Sequence, residues 1–264
     1  MNPAVLLLRD WRGGELGVLL AALLLAVSVV VGISAFVSSL QSALVSESLR
    51  FLAADRVVTS GQAISEEWTS QAELEGLTVA QTLSFPSMAV TESDNLYLAS
   101  IMAVSSGYPL RGELLSSATP YGEVRTDAGI PNPGEAYLAP RLFALLEVQP
   151  GDRVWVGDKA LVISGAVRGQ PDTASAAFGY GPRLLMNLAD IPATGVIQPG
   201  SRVTWRVLLA GEGSALDAFT QWVTPQLNQG QRLLGVEDSQ PSISRTLDRA
   251  QGFLLLAGSL GVVL

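Results

Sequence analysis

The sequence predicts an α+β domain held between two membrane-associated ends. Uncharged, largely apolar residues fill positions 16–46 and close the chain at 253–264. Between these ends, helix signals alternate irregularly with pairs of strand signals. Irregular alternation with mostly antiparallel neighbours is typical of the α+β class, whereas regular βαβ repeats would predict a parallel sheet.

The first apolar segment, residues 16–37, is predicted to cross a membrane. It matches the roughly 20 helical residues that a bilayer core requires. Trp11 precedes it, where an interfacial aromatic residue is expected,. Two alternatives fit less well. A cleaved signal peptide has a shorter apolar core, and a buried helix of a soluble domain would carry charge on its outer side.

The next segment, residues 38–54, is predicted to continue this helix as a stalk outside the bilayer. No Pro or Gly interrupts it, although a separate surface helix after a bend is the alternative,. Lys and Arg residues are balanced on the two sides of the membrane segment, so they do not fix its orientation. The long domain that follows favours a cytoplasmic segment at 1–15. Leucines recur near helical spacing along the stalk, at Leu40, Leu44, Leu49 and Leu52,.

The end of the chain mirrors its beginning. Residues 243–252 read as a second charged stalk, and 253–264 as the start of a second membrane helix that is too short to span a bilayer,. We therefore expect an N-terminal piece of a longer multi-pass protein. A buried C-terminal helix is the alternative.

The first half of the intervening domain has clear local signals. Ser65 is a candidate N-cap for a helix with acidic residues in its first turn, and Gly76 is its stop signal,. Residues 77–90 and 95–104 read as two strands joined by the polar turn 91–95,. The Pro- and Gly-rich loop 121–135 is the strongest internal boundary.

The second half begins with a short helix over 140–146, opened by Pro140,. Strands are predicted at 153–156 and 160–167 around a tight turn, and another at 201–211. A helix is predicted over 214–227, with Ser214 and Asp217 as a capping-box pattern. One face of this helix is apolar, with Leu216, Phe219, Val223 and Leu227.

The composition excludes several kinds of chemistry. The chain has no histidine and no cysteine, which removes Ser-His-Asp triads, thiol nucleophiles and histidine metal ligands,. The single lysine, Lys159, is predicted to lie in an exposed hairpin turn, which disfavours a Ser-Lys mechanism. A net charge of −8 disfavours binding to nucleic acid,.

No other pattern points to a site. The glycine-rich stretches "GYGPR" and "GEGSAL" match no phosphate-binding motif,. The adjacent acids Glu66–Glu67 and Glu237–Asp238 are expected on solvated faces, because neighbours in sequence point in different directions. The sequence therefore assigns no catalytic, cofactor-binding or metal-binding residue, and no cofactor.

Several longer phrases resemble those of FtsX-like ABC transporter permeases of the MacB and LolC/LolE type, and most closely YbbP-like permeases. They are "ADRVVTSG", "YPLRGEL", "LAPRLFALLEVQPGDRVWVG", "VISGAVRGQPD", "FGYGPRLLMNLADIPATGVIQPGSRVTWRVLL" and "LDRAQGFLLLA". The resemblance covers nearly the whole chain. These phrases are structural rather than catalytic, so they indicate fold and role but not the transported substrate.

The resemblance implies a periplasmic core domain of the MacB type. It has a porter-like α/β part, expected at 55–112 and 200–242, and an inserted β-rich part at 113–199. It also implies a non-catalytic permease of the inner membrane that dimerises and binds a cytoplasmic ATPase subunit. Such a permease transmits ATP hydrolysis through its stalks (mechanotransmission), for lipid-linked or other hydrophobic envelope cargo, with a periplasmic partner as a further expectation.

A membrane-anchored receptor that senses a ligand is the main alternative function. It would need a cytoplasmic signalling module after the second membrane segment, whereas a permease would need further membrane helices. A membrane-anchored hydrolase is disfavoured by the missing nucleophile machinery.

Overall fold

The structure is a computed structural model that describes residues 53–126, 128–171, 181–198 and 200–235. It also describes isolated helical positions at Gly17, Leu24, Val27, Ser28, Val31, Gly32, Ala35, Phe36 and Ser39. The chain divides into two compact units, and the larger, residues 47–239, contains all of the sheet.

The predicted membrane segments 16–37 and 253–264 and the two stalks lie mostly or wholly outside the described residues. Within the part of the chain that is described, no helix is both long and apolar enough to cross a membrane.

The larger unit combines helices with a mostly antiparallel sheet, which confirms the mixed α and β class. Its strands are β1 (Arg56–Ser60), β2 (Thr78–Thr91), β3 (Leu96–Val104), β4 (Leu115–Ser117), β5 (Glu135–Leu138), β6 (Arg153–Val156), β7 (Lys159–Gly169), β8 (Arg183–Asn187), β9 (Thr204–Ala210) and β10 (Gln231–Gly235). Its helices are α1 (Glu66–Leu74), α2 (Pro140–Leu146), α3 (Ile191–Thr194) and α4 (Gly213–Val223). Short 3₁₀ turns follow β8 and α4, at Leu188–Asp190 and Thr224–Gln226.

The described strands form one hydrogen-bonded sheet with the order β10-β1-β9-β2-β3-β8-β5-β7-β4, and β6 bridges β2 and β7. Two neighbouring pairs are parallel, β3 with β8 and β5 with β7. The order separates the chain into two groups. Strands β1, β2, β3, β9 and β10 lie together at one end, and the strands drawn from residues 115–187 lie at the other.

Strand β2 is long and pairs with strands of both groups. Its first half pairs with β9 as far as Ser84, and its last residues, from Ala89 onward, pair with β6. Pro86 lies between these two ladders and faces only β3. A proline has no N–H to donate, so it is tolerated where one edge of the strand has no partner.

Helix α1 begins and ends where the sequence predicts. The Ser65 side chain accepts a hydrogen bond from the Glu67 N–H at 3.2 Å. The helix ends before Gly76, whose φ of +80° costs little without a Cβ,. The prediction of this helix is confirmed.

Helix α4 departs from its prediction at both ends. It begins at Gly213 with Glu212 as N-cap and no side-chain cap, so the predicted Ser214–Asp217 capping box is wrong. It gives way to a 3₁₀ turn containing Pro225, because proline cannot continue α-helical hydrogen bonding,. Leu227 therefore lies beyond the helix, although it still packs against the same core.

The described residues of the unit bury three apolar clusters. The helix-covered cluster joins α1 and α4 to β1 and β9 through Trp68, Phe219 and Val207. The second lies on the opposite face of those strands and includes Ala53 and Leu208. The third and largest lies under the β2–β3 and β6–β7 hairpins and is closed by α2. The first two clusters bury both faces of the sheet next to the ends of the domain.

Candidate functional site: the junction at the ends of the domain

The two ends of the sheet-forming chain leave the domain side by side. Strand β1 opens at Arg56 and strand β10 closes at Gly235, and these two residues are direct antiparallel partners. The segments on either side of the domain are therefore attached to neighbouring strands at the same end of the sheet. We call the residues around this point, Ala53, Asp55, Arg56, Arg111 and Gly211, the junction.

Asp55 is the centre of the junction. Its Oδ1 accepts a hydrogen bond from Arg111 Nε at 2.8 Å, and its Oδ2 accepts one from Arg111 Nη2 at 2.7 Å. The same Oδ2 accepts a third bond from the Gly211 N–H at 3.1 Å. A two-pronged guanidinium–carboxylate contact fixes direction as well as distance. One carboxylate thus ties the start of β1 to the loop after β3 and to the turn after β9.

The backbone reinforces these contacts. Ala53 is fully buried, has a φ of +58°, and its carbonyl accepts a hydrogen bond from the Arg111 N–H at 2.9 Å. The Asp55 N–H donates to the Leu209 carbonyl at 3.0 Å. An L-residue at positive φ persists only where its surroundings hold it there. The chain is therefore locked in place before the first strand begins.

Arg111 keeps its positive charge at alkaline pH. The pKa of Arg111 is raised, chiefly by its hydrogen bonds to Asp55 and also by attraction to that carboxylate, while burial opposes the shift. A raised pKa means that the stabilising effect is complete below arginine's ordinary pKa and is lost only as the pH rises through the raised value. Alkaline media in the usual working range therefore leave Arg111 paired.

A second, more exposed ion pair lies next to the junction. Arg56 Nη2 is 3.0 Å from Asp217 Oδ1 on helix α4. Both side chains contact water, so this pair contributes about 0–1 kcal/mol. It fixes α4 over the start of β1 without burying a charge.

A separate feature is an apolar outer face on the two hairpins. The register places Met88 opposite Leu98, Val90 opposite Leu96 and Trp155, and Arg153 opposite Val162. Opposed residues in antiparallel strands share one face of the sheet. Leu96 is 63% exposed and Leu98 is 40% exposed. We call this surface the outer face, and it comprises Met88, Val90, Leu96, Leu98, Arg153, Trp155, Ala160 and Val162.

Contiguous exposed apolar surface is uncommon on soluble domains and usually marks contact with another molecule. The opposite side of the same strands is filled by the largest core cluster. The exposed residues of the outer face lie outside that cluster.

The prediction that Lys159 is exposed is wrong. It opens strand β7, its side chain is 31% exposed, and its Nζ lies 3.2 Å from Oδ1 of the buried Asp190. The other carboxylate oxygen of Asp190 accepts a bond from the Gly134 N–H at 2.7 Å. The turn residues Gly157 and Asp158 stay exposed, but the segment after β8 is bonded to them, since the Asp158 N–H donates to the Thr194 carbonyl. Lys159 thus pins this turn to its neighbours.

The adjacent acids Glu66–Glu67 lie on the exposed side of α1, whereas Glu237–Asp238 lie outside the described residues. Among the residues that the structure describes, no cluster of acidic, His or Cys side chains has the composition of a metal site. Sequence reasoning named no junction residue. The sequence contains Asp55 and Arg111 within the two stretches "ADRVVTSG" and "YPLRGEL". These stretches lie far apart in the chain, so the sequence does not show that the two residues form a contact.

No family model matches this sequence. The chain is 38% identical over 258 residues to a protein of Escherichia coli (strain K12) described as "Uncharacterized ABC transporter permease YbbP". The match covers 97% of this chain and 31% of the E. coli protein, so the chain spans about a third of that relative.

Two solved structures are similar at low identity. The periplasmic region of MacB from Actinobacillus actinomycetemcomitans gives a TM-score of 0.47 at 12% identity and covers 74% of this chain and 95% of that one. The extracellular domain of the noncanonic ABC-type transporter YknZ from Gram-positive bacteria gives 0.45 at 10% identity, with 68% and 100% covered. The resemblance found in the sequence is confirmed by the E. coli protein, and this chain is a relative of the YbbP-like ABC transporter permeases.

Proposed function

We propose that this chain is part of the permease subunit of an ABC transporter and that its domain transmits movement by mechanotransmission. The pairing of Arg56 with Gly235 carries this proposal, because it attaches both flanking segments to adjacent strands. A displacement of one segment relative to the other then acts directly on the sheet. The permease is non-catalytic, dimerises, and works with an ATPase subunit on the cytoplasmic side.

In this proposal residues 16–37 and 253–264 lie in the inner membrane and the domain between them is extracytoplasmic. The porter-like part comprises 55–112 and 200–242, and the inserted β-rich part comprises 113–199. The strand order supports this division, because strands from the two sets of residues occupy opposite ends of the sheet.

The orientation is tested by labelling. Ser93 lies in the exposed turn between β2 and β3, so Ser93→Cys adds a single accessible thiol to a chain without native cysteine. A membrane-impermeant maleimide should label this variant in intact spheroplasts. Labelling only after the membrane is broken would place the domain inside the cell and overturn the proposal.

The lever action is tested by a disulfide between the two predicted stalks, with one Cys at Leu44 or Leu49 and one at Leu247. Under oxidation the crosslink should stop transport and leave ATPase binding intact, and reduction should restore transport. A Thr59→Cys/Arg232→Cys pair is the matched control, because these residues are already partners in β1 and β10,. If the stalk crosslink forms efficiently and transport continues, the stalks are static supports.

We further propose that the cargo is hydrophobic, such as a lipid-linked molecule of the cell envelope. The outer face supports this class, because it offers apolar side chains from four strands and a single cation, Arg153. An amphiphile with an anionic group matches that combination. A periplasmic partner that receives the cargo completes the proposed set of interactions.

This choice of cargo is tested by Met88→Ser/Leu98→Ser in the intact permease. Transport of a hydrophobic reporter should fall while the complex with the ATPase still assembles. Leu74→Ser is the control, because Leu74 is 81% exposed on α1 and lies apart from the outer face. Equal transport by both variants would show that the outer face does not contact the cargo.

A further inference from the structure

We propose that Arg111 and Gly112 form a bridge that carries movement of the junction into the inserted β-rich part. This inference rests on the mechanotransmission proposed above and names its route through the domain. The two residues lie in the loop between β3 and β4, where the chain passes from one group of strands to the other.

On one side of the bridge, Arg111 is bonded to the residues just before β1. Arg111 is attached to residues 53–55 by three contacts: its N–H donates to the Ala53 carbonyl, and two guanidinium nitrogens donate to the Asp55 carboxylate. Because both the main chain and the side chain of Arg111 make these contacts, Arg111 can neither rotate nor move away relative to residues 53–55. A displacement of Asp55 therefore displaces Arg111.

The other side of the bridge rests on the end of β7. Gly112 has a φ of +81°, and a Cβ added there would lie 2.8 Å from Cβ of the buried Pro171. Only glycine permits so close an approach at that backbone angle. Pro171 follows β7 closely in the chain, so the next residue after Arg111 bears directly on the inserted part.

Apolar contacts run parallel to this route. Leu114 lies in the same buried cluster as Ala53 and Val167, and Val167 belongs to β7. The loop is also anchored at its start, where the Ser105 N–H donates to the Gln81 carbonyl and the Ser105 hydroxyl accepts from the Gln81 N–H. A loop held at its start cannot absorb the movement of Arg111 by swinging freely, so the movement passes to β4 and β7.

The bridge is distinct from the neighbouring Arg56–Asp217 ion pair. That pair connects the start of β1 to α4, within the group of strands that already contains β1. Removing it should leave the route to β7 intact. It therefore supplies a matched control that also breaks one ion pair near the junction.

The test uses two pairs of spin labels in the intact permease with its ATPase, after any cysteine outside this chain has been replaced. Pair one, at Glu73 and Ser164, reports movement between α1 and β7, and both positions are exposed. Pair two, at Ser39 and Glu73, reports movement of the domain relative to the N-terminal segment. Distances are measured by double electron–electron resonance with and without ATP.

In the parent protein both distances should change with ATP. Arg111→Ala and Asp55→Asn should abolish the change in pair one and keep that in pair two, whereas Asp217→Asn should keep both. Gly112→Ala should alter the pair-one distance even without nucleotide, because its Cβ displaces Pro171.

The outcomes separate the two proposals. If pair two moves but pair one is static in the parent, or moves equally in Arg111→Ala, the bridge is wrong and mechanotransmission stands. If pair two does not respond to ATP in the parent, the proposed function fails and the bridge fails with it.

Discussion

The strands next to the junction and the two hairpins differ in how their faces are covered. In β1 and β9, Val58 and Val207 pack under the helices, while Val57 and Leu208 are buried in a second cluster on the opposite face. At the closed end of the β2–β3 hairpin and in the β6–β7 hairpin only one face is buried, and Leu96 and Leu98 remain exposed on the other. The same kind of apolar strand is thus buried on two sides in one region and on one side in the other.

This difference separates two tasks. Strands buried on both faces resist shear, because any sliding disturbs two packed layers. Such strands suit a point where flanking segments attach. Strands buried on one face keep their fold while offering the other face to a ligand. Substitutions in the two regions should therefore differ most in what they cost the fold.

The largest effect is expected for Phe219→Ala. Phe219 is fully buried between α4 and the sheet and stacks at a tilt on Trp222, with ring centroids 5.8 Å apart. Truncating a buried phenylalanine costs about 3–5 kcal/mol. Urea unfolding of residues 47–239 measures the loss, with Leu74→Ala on the exposed side of α1 as control. Equal midpoints for the two variants would show that the helix layer adds little.

A smaller loss, about 2 kcal/mol, is expected for Asp190→Ala. It removes an ion pair with Lys159 and leaves the Gly134 N–H without its acceptor, and hydrogen bonds to charged groups contribute about 1.5–3 kcal/mol each,. Lys159→Met should cost less, because Asp190 keeps its bond to Gly134. Thermal unfolding ranks the two variants, and the reverse order would mean that the ion pair dominates.

Arg56→Ala should cost only about 0.2–1 kcal/mol, because its partner Asp217 is largely exposed,. The loss should shrink as salt is added, since mobile ions screen exposed charges. Unfolding in low and high salt measures this. A loss that is large and independent of salt would indicate that Arg56 does more than form this exposed ion pair.

The smallest effect is expected for Leu96→Ser on the outer face, within about 0.5 kcal/mol of the parent, as for most exposed substitutions. The same unfolding experiment applies. A loss comparable to that of Phe219→Ala would show that another part of the protein covers this face, and the contrast between the two regions would disappear.

Elements made by neighbouring residues were predictable from the sequence. The Ser65 cap, the β2–β3 hairpin, the Pro140 helix and the β6–β7 hairpin each depend on signals within about a dozen residues,. Short strands without such flanking signals, β1, β4, β5, β8 and β10, were not predicted individually. Their residues form strands because a neighbouring strand supplies the hydrogen bonds, and propensity alone does not name that neighbour.

The errors have the same origin. Ser214 looked like a cap because only the local pattern was visible, but the N-cap of α4 is Glu212, two residues earlier. Lys159 looked exposed because a hairpin turn usually is, but it pairs with Asp190, about 30 residues later in the chain, and the sequence does not show this contact.

The sequence by itself determined the mixed class, the absence of histidine and cysteine chemistry, and the relation to ABC transporter permeases. These follow from composition and from short stretches of sequence, each of which is recognisable without knowledge of the rest of the chain. Tertiary structure alone decided that β10 lies beside β1, that Asp55 contacts Arg111, and that Leu96 and Leu98 at the end of the β2–β3 hairpin stay exposed. Each of these features depends on residues far apart in the chain. Which distant residues come together is decided by the packing of the whole sheet, because no short sequence pattern specifies it.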